Sequence, residues 1–209
     1  MPDSEDKVFH LTDENWEDVF WQMVDVVPYL KNYLERYIAQ NREKLGARWV
    51  EAVSEFLREV YSEKTDEALV VFEQKVSLFP PNGWLALYAA DLLCYQKAEY
   101  FRARVLYRLA ESEIPEFPKV HLDLGLIFML LTDWSKALEA YEKTYRYAEN
   151  DPKNSDDLRA KALFNQAIIY ANYLHDVPRA AALLRRTLEI RPDYEMARRA
   201  LKNMKQSMV

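Results

Sequence analysis

The side chains able to do chemistry are few in this chain, and they stand far apart. Its three histidines, His10, His121 and His175, fall in an N-terminal tail, at the start of an apolar run and in a polar turn. No two share the spacing of metal ligands, and none has a cysteine to pair with. The one cysteine, Cys94, lies inside "LLCYQ"; alone it makes neither an intramolecular disulfide nor a metal cluster, and it reads as a buried core thiol. The three glycines, Gly46, Gly83 and Gly125, cannot assemble a phosphate-cradling loop of either the G-x-x-x-x-G-K-S/T or the G-x-G-x-x-G kind. Asp and Glu number 34, but on amphipathic helices most are solvated, and no spacing selects a pair for acid–base work. The expectation is a chain with no catalytic residues, no metal site, no cofactor and no small-molecule substrate. Apolar and aromatic surface is what remains, and such surface serves binding.

The elements that must present that surface are clearest in residues 120–150, "VHLDLGLIFMLLTDWSKALEAYEKTYRYAEN". An apolar helix carries Gly125 in its middle, where glycine costs roughly 1 kcal/mol against alanine, so a second helix is expected to approach closely there. Thr132 and Asp133 make a polar turn and offer N-caps. Trp134, Ala137, Leu138, Tyr141 and Tyr145 then recur at helical spacing on one face. This is a helical hairpin, and a lone hairpin cannot bury both its apolar faces. The unit recurs. Ala137 with Tyr141 is matched by Ala103 with Tyr107, 34 residues earlier, by Ala68 with Phe72 a further 35 back, and by Ala180 with Leu184, 43 residues later. Proline follows the alanine by twelve residues at Pro80, Pro115 and Pro192.

At these residues the chain resembles the tetratricopeptide repeat family, whose unit of about 34 residues reads W-x-x-L-G-x-x-Y, then A-x-x-x-F, then P. Leu124-Gly125 with Phe128 matches the first half, and Leu163, Ala167 and Tyr170 match it again with alanine for glycine. The unit led by Trp84 departs from the pattern, with Asp91 in the small-residue slot. The resemblance covers roughly residues 47–207 and implies an all-α, right-handed solenoid of three to four helical hairpins. The expected organisation is an acidic flexible arm at 1–11 and N-terminal helices at 12–46. Repeats follow at about 47–80, 81–115, 118–150 and 157–192, with a C-terminal capping helix at 193–209. Met196, Ala200, Leu201 and Met204 are expected on the inner side of that cap.

Composition agrees with such an array. Three glycines in 209 residues suit a nearly all-helical chain with short loops. The N-terminus has neither the charged nor the apolar region of a signal peptide, and no apolar run reaches the length of a membrane span; the expectation is a cytoplasmic protein. Residues 179–209 hold eight Arg or Lys against three acids, a balance of +5, which in a chain of net charge −6 leaves −11 for residues 1–178. The acid-rich remainder disfavours nucleic acid, and the basic end could dock an acidic partner or an anionic surface.

In the repeat family the first helices of successive hairpins line a concave groove that holds a peptide or helix. Carried over residue by residue, the resemblance implies a wall of Tyr88, Leu92 and Tyr95, then Leu122, Leu126 and Met129, then Phe164, Asn165 and Ile168. Asn165 follows the family's pattern of an asparagine that bonds the ligand backbone. Lys161 with Asn165 fits a K-x-x-x-N fragment of the carboxylate clamp, but Asp123, Ala89 and Leu126 stand where its other polar residues belong. The functional expectation is a non-catalytic interaction module binding a protein or peptide partner. The alternative is a dedicated chaperone, similar to the small acidic repeat chaperones of bacterial secretion. A second alternative makes the nine wall residues core, covered by the N-terminal helices. Partner identity and oligomeric state are not legible.

Overall fold

The computed structural model describes residues 11–23 and 28–206. The acidic arm expected at 1–11 therefore lies outside the described residues except for Leu11. Among the described residues there are eleven α-helices and no strand, so the chain is all-α. It divides into two compact units, residues 1–82 and 83–209.

In the first unit, α1 (Trp16–Met23) and α2 (Pro28–Asn41) precede the hairpin of α3 (Ala47–Tyr61) and α4 (Thr65–Gln74). Thr12 Oγ1 accepts from the Glu14 and Asn15 amides, while Asn15 Oδ1 accepts from the Thr12 amide. These side-chain bonds satisfy backbone donors at the entry to α1. The unit's core closes on Trp49, which is 1% exposed. The Phe20 ring lies 4.6 Å from it, and Trp16 and Tyr37 approach to 5.8 and 6.1 Å. Tyr37 donates its hydroxyl to the Pro80 carbonyl at 2.7 Å, and Asp13 Oδ1 accepts from the Ala47 amide at 3.1 Å to cap α3. Within the hairpin, Phe56 meets Phe72 at 5.6 Å.

The second unit is a short solenoid. Its hairpins are α5 (Gly83–Asp91) with α6 (Tyr100–Glu113), α7 (Pro118–Leu130) with α8 (Trp134–Tyr147), and α9 (Ser155–Asn172) with α10 (Val177–Ile190). Each packs on the next, through α6 on α7 and α8 on α9. The final helix, α11 (Glu195–Gln206), packs on α10. The repeating alanines Ala68, Ala103, Ala137 and Ala180 are all 0% exposed, because only a small side chain lets the paired helices approach there. Five residues before each alanine stands Glu63, Ala98, Thr132 or His175, with φ between 55° and 59°. Every hairpin thus turns through one left-handed residue, a conformation costing a residue with a Cβ roughly 1–2 kcal/mol. Asp133 and Asp176 then cap the second helices, accepting from the Lys136 and Arg179 amides at 3.2 and 3.0 Å.

Gly125 has the expected packing reason. A Cβ there would lie 2.5–2.8 Å from three ring carbons of Tyr141, so the glycine makes room for that ring. On α11 the expected inner face holds at Ala200, Leu201 and Met204 and fails at Met196. Ala197 is buried, and Ala200, Leu201 and Met204 pack with it against Leu163, Leu183 and Leu184, whereas Met196 is 56% exposed. Ala197, Leu201 and Met204 recur at i, i+4 and i+7, which fixes the helix phase and turns Met196 outward.

Candidate binding face

The first helices α5, α7 and α9 carry seven of the nine residues expected to form the wall, and Leu92 and Tyr95 lie in the π turn (Leu92–Gln96) that continues α5. Tyr88, Leu92, Leu122, Leu126, Met129, Phe164, Asn165 and Ile168 are half-buried, and Tyr95 is 54% exposed. Phe164 also packs at 5.3 Å against Tyr194, beside α11, so it belongs in part to the C-terminal cluster. Tyr88 leans on Trp84 at 5.1 Å.

Around Tyr95 the structure assembles a polar cluster that the sequence did not predict. Lys119 and Asp123, one turn apart on α7, share a face, and Lys119 Nζ lies 2.6 Å from Asp123 Oδ2. The same ammonium reaches Asp91 Oδ2, at the end of α5, at 2.8 Å. Each carboxylate is also held by a tyrosine: Tyr95 donates to Asp123 Oδ1 at 2.6 Å, and Tyr107, from α6, donates to Asp91 Oδ1 at 2.8 Å. Past Asp91 the helix widens into a π turn, with the Lys97 amide bonded to the Leu92 carbonyl five residues back. Such turns occur often at functional sites, and Tyr95 lies within this one.

The departure at Asp91 now has a physical account. Asp91 stands 34 residues before Gly125, and Tyr107 stands 34 before Tyr141. In one hairpin the tyrosine lies against a glycine; in the other its hydroxyl bonds a carboxylate. Burial pushes the Asp91 carboxyl up to about 6, against the pull of Lys119, and neighbouring Asp123 pushes it the same way. Burial would lower the Lys119 ammonium, but Asp123 and Asp91 outweigh it and hold it above its ordinary value. The Tyr95 and Tyr107 hydroxyls are raised by burial and by the two carboxylates, so both stay protonated donors. With both acids ionised the cluster carries two negative charges and one positive.

A second polar feature lies deeper. The Tyr141 ring, passing Gly125, carries its hydroxyl into the interior. Asn165 on α9 and Asp123 on α7 are among the groups that act on it. Lys161 is engaged by Asp157 at 2.6 Å, and Asp157 by Arg191 at 2.7 Å.

The remaining reactive groups are structural in their surroundings. His121 is 2% exposed and bonded through Nε2 to the Pro115 carbonyl at 2.5 Å; burial lowers its pKa and keeps it neutral. Cys94 is buried, and burial raises its thiol, so it stays protonated. Among the described residues no three His, Cys, Asp or Glu side chains are grouped to hold a metal ion. No described helix is long and apolar enough to cross a membrane.

No protein-family model matches the chain, and no curated protein matches it in sequence. Solved structures match it in shape. YrrB, described as a TPR protein with an unusual peptide-binding site, superposes with a TM-score of 0.63, covering 90% of this chain and 97% of YrrB at 20% identity. MamA superposes with a TM-score of 0.63 over 72% of this chain and 82% of its own, at 12% identity. The chain has the tetratricopeptide-repeat fold. A double mutant of MamA from RS-1 agrees, with a TM-score of 0.66 over 78% of this chain and 86% of its own at 13% identity. In the tetratricopeptide-repeat frame, the wall residues and all of the polar cluster except Tyr107 belong to the first helices of the three hairpins in the second unit and the π turn that continues α5.

The cluster's members escaped sequence reading because a charge on an amphipathic helix reads as solvated. Two signals were present. Lys119 and Asp123 have the i, i+4 spacing of an ion pair, and Asp91 breaks the small-residue pattern.

Proposed function

We propose that the protein is a non-catalytic interaction module whose α5–α7–α9 face receives a peptide or partner helix. The composition of that face carries the proposal: Leu92, Leu122, Leu126, Met129 and Ile168 stay only half-buried, and Tyr95 stands exposed among them. Half-buried leucine and methionine on adjacent helices form a surface that an amphipathic segment can cover, and methionine adapts its shape to the occupant. Peptide binding by YrrB, a protein of the same fold, supports the reading. The repeats taken as functional units are residues 81–115, 118–150 and 157–192.

Aromatic anchors dominate such contacts, with losses of about 2 kcal/mol or more on truncation. Titrating peptides against wild type and Tyr95→Ala tests the assignment. The variant is expected to bind at least tenfold more weakly with unchanged helicity. Equal binding, or unfolding of the variant, would remove Tyr95 from the site.

A further inference from the structure

We infer that the face around Tyr95 takes a basic side chain, Lys or Arg, carried by an otherwise apolar partner peptide. The inference deepens the proposed function and rests on that face being the peptide site.

Two observations converge on the same place. The first is charge. Asp91 and Asp123 together hold a single cation, Lys119, so the cluster keeps one uncompensated negative charge in a half-buried setting. There a further positive charge gains more than it would in bulk water. The second is the ring of Tyr95. It is exposed, its hydroxyl is fixed on Asp123, and Lys119 Nζ already lies 5.8 Å from its centroid. A ring with one end tethered to a carboxylate offers a ready surface for a cation.

The apolar part of the partner follows from the neighbours. Leu92, Leu122 and Leu126 flank the cluster and are half-buried, so the residues adjoining the basic side chain are expected to be apolar. An acidic partner residue would meet Asp91 and Asp123 with like charge and is rejected at this position.

Binding of this kind carries a pH signature. The groups facing Asp91 are Tyr107 from α6, Lys119 and Asp123 from α7, and Cys94 and Tyr95 from the continuation of its own helix. A bound cation favours the ionised carboxyl, so affinity for a basic side chain falls as pH drops through about 6.

The test uses the full chain and four N-acetylated amphipathic peptides, identical except for one central Arg, Lys, norleucine or Glu. Binding is titrated and followed by methyl and amide NMR shifts. The Arg and Lys peptides are expected to bind at least tenfold more tightly than the norleucine peptide at pH 7.5, with shifts centred on Tyr95 and Leu126. That advantage should shrink to about twofold in Asp91→Asn and, in wild type, at pH 5.5. Norleucine binding as tightly as Arg overturns the inference while shifts on this face retain the binding site. An Arg preference that survives both Asp91→Asn and the change to pH 5.5 also overturns it, since the charge recognised would lie elsewhere. Absence of shifts on the face with every peptide overturns the proposed function itself. The pH comparison needs no variant and stands even if Asp91→Asn fails to fold.

Discussion

Replacing Gly125 by alanine sets two effects of known sign against each other. In an isolated helix the change should stabilise by roughly 1 kcal/mol, since glycine is the poorer helix former by that amount. In this fold the new Cβ would sit 2.5 Å from Tyr141 Cε1 and within 2.8 Å of two further ring carbons. The ring cannot retreat easily, because Tyr141 is 0% exposed and interiors are packed at crystal density. Overpacking of this kind costs about 1–3 kcal/mol, occasionally more, and three clashes with a rigid ring place it at the upper end. We expect a net loss of about 2 kcal/mol, seen as a fall in Tm of roughly 4–8 °C for a domain of this size. Thermal melts and urea titrations of Gly125→Ala, Tyr141→Leu and the double variant supply the assay. The double variant should lose less than the sum of the singles, because leucine vacates the space the Cβ needs. Stabilisation by Gly125→Ala, or strict additivity in the cycle, would refute the argument that this glycine exists for the ring.

Other expectations follow from the same geometry. Thr132→Gly relieves a β-branched residue at φ 59° and, after the larger entropy of glycine in the unfolded chain, should stabilise by about 0.5–1 kcal/mol in urea titrations. Lys119→Met leaves Asp91 and Asp123 facing each other without a cation and should destabilise by about 1–3 kcal/mol at pH 7.5, the exposure of the ammonium keeping it below a fully buried pair. The stability–pH profile should contain two opposing slopes. His121 is held neutral in the fold, its pKa depressed by burial; its contribution is present above the ordinary histidine pKa of about 6.5 and is lost as pH falls below it. Asp91 has its folded pKa raised to about 6, so the fold takes up its proton before the unfolded chain does, and stability from this group rises as pH falls from about 6 towards 4. Asp91→Asn should expose the His121 slope alone, and His121→Gln the Asp91 slope, in denaturant melts taken from pH 4 to pH 8.

The parts of the fold legible in the sequence were those where burial leaves no choice of residue. Ala68, Ala103, Ala137 and Ala180 recur because each marks a helix crossing too close for a larger side chain, and Gly125 announced its partner for the same reason. The hairpin turns were not legible as left-handed positions, since Glu63, Ala98, Thr132 and His175 share no side-chain property and none is glycine. The nine wall residues are carried over from the repeat family's pattern, whereas the polar cluster beside them had no such pattern to reveal it. Asp91 and Lys119 are 28 residues apart on different helices, and nothing local distinguishes a carboxylate that meets a lysine from one that meets water. Met196 shows the limit of phase alone, because its i, i+4 spacing to Ala200 suggests the inner face, yet Ala197 is the residue buried at the start of α11.

The central claim is that the partner lies on α5, α7 and α9. Methyl NMR of the full chain with a bound peptide tests it most directly. Shifts should gather on Leu92, Leu122, Leu126, Met129 and Ile168 while the exposed Val105 on α6 stays unmoved. Shifts that gather on Val105 and spare those five would contradict the account.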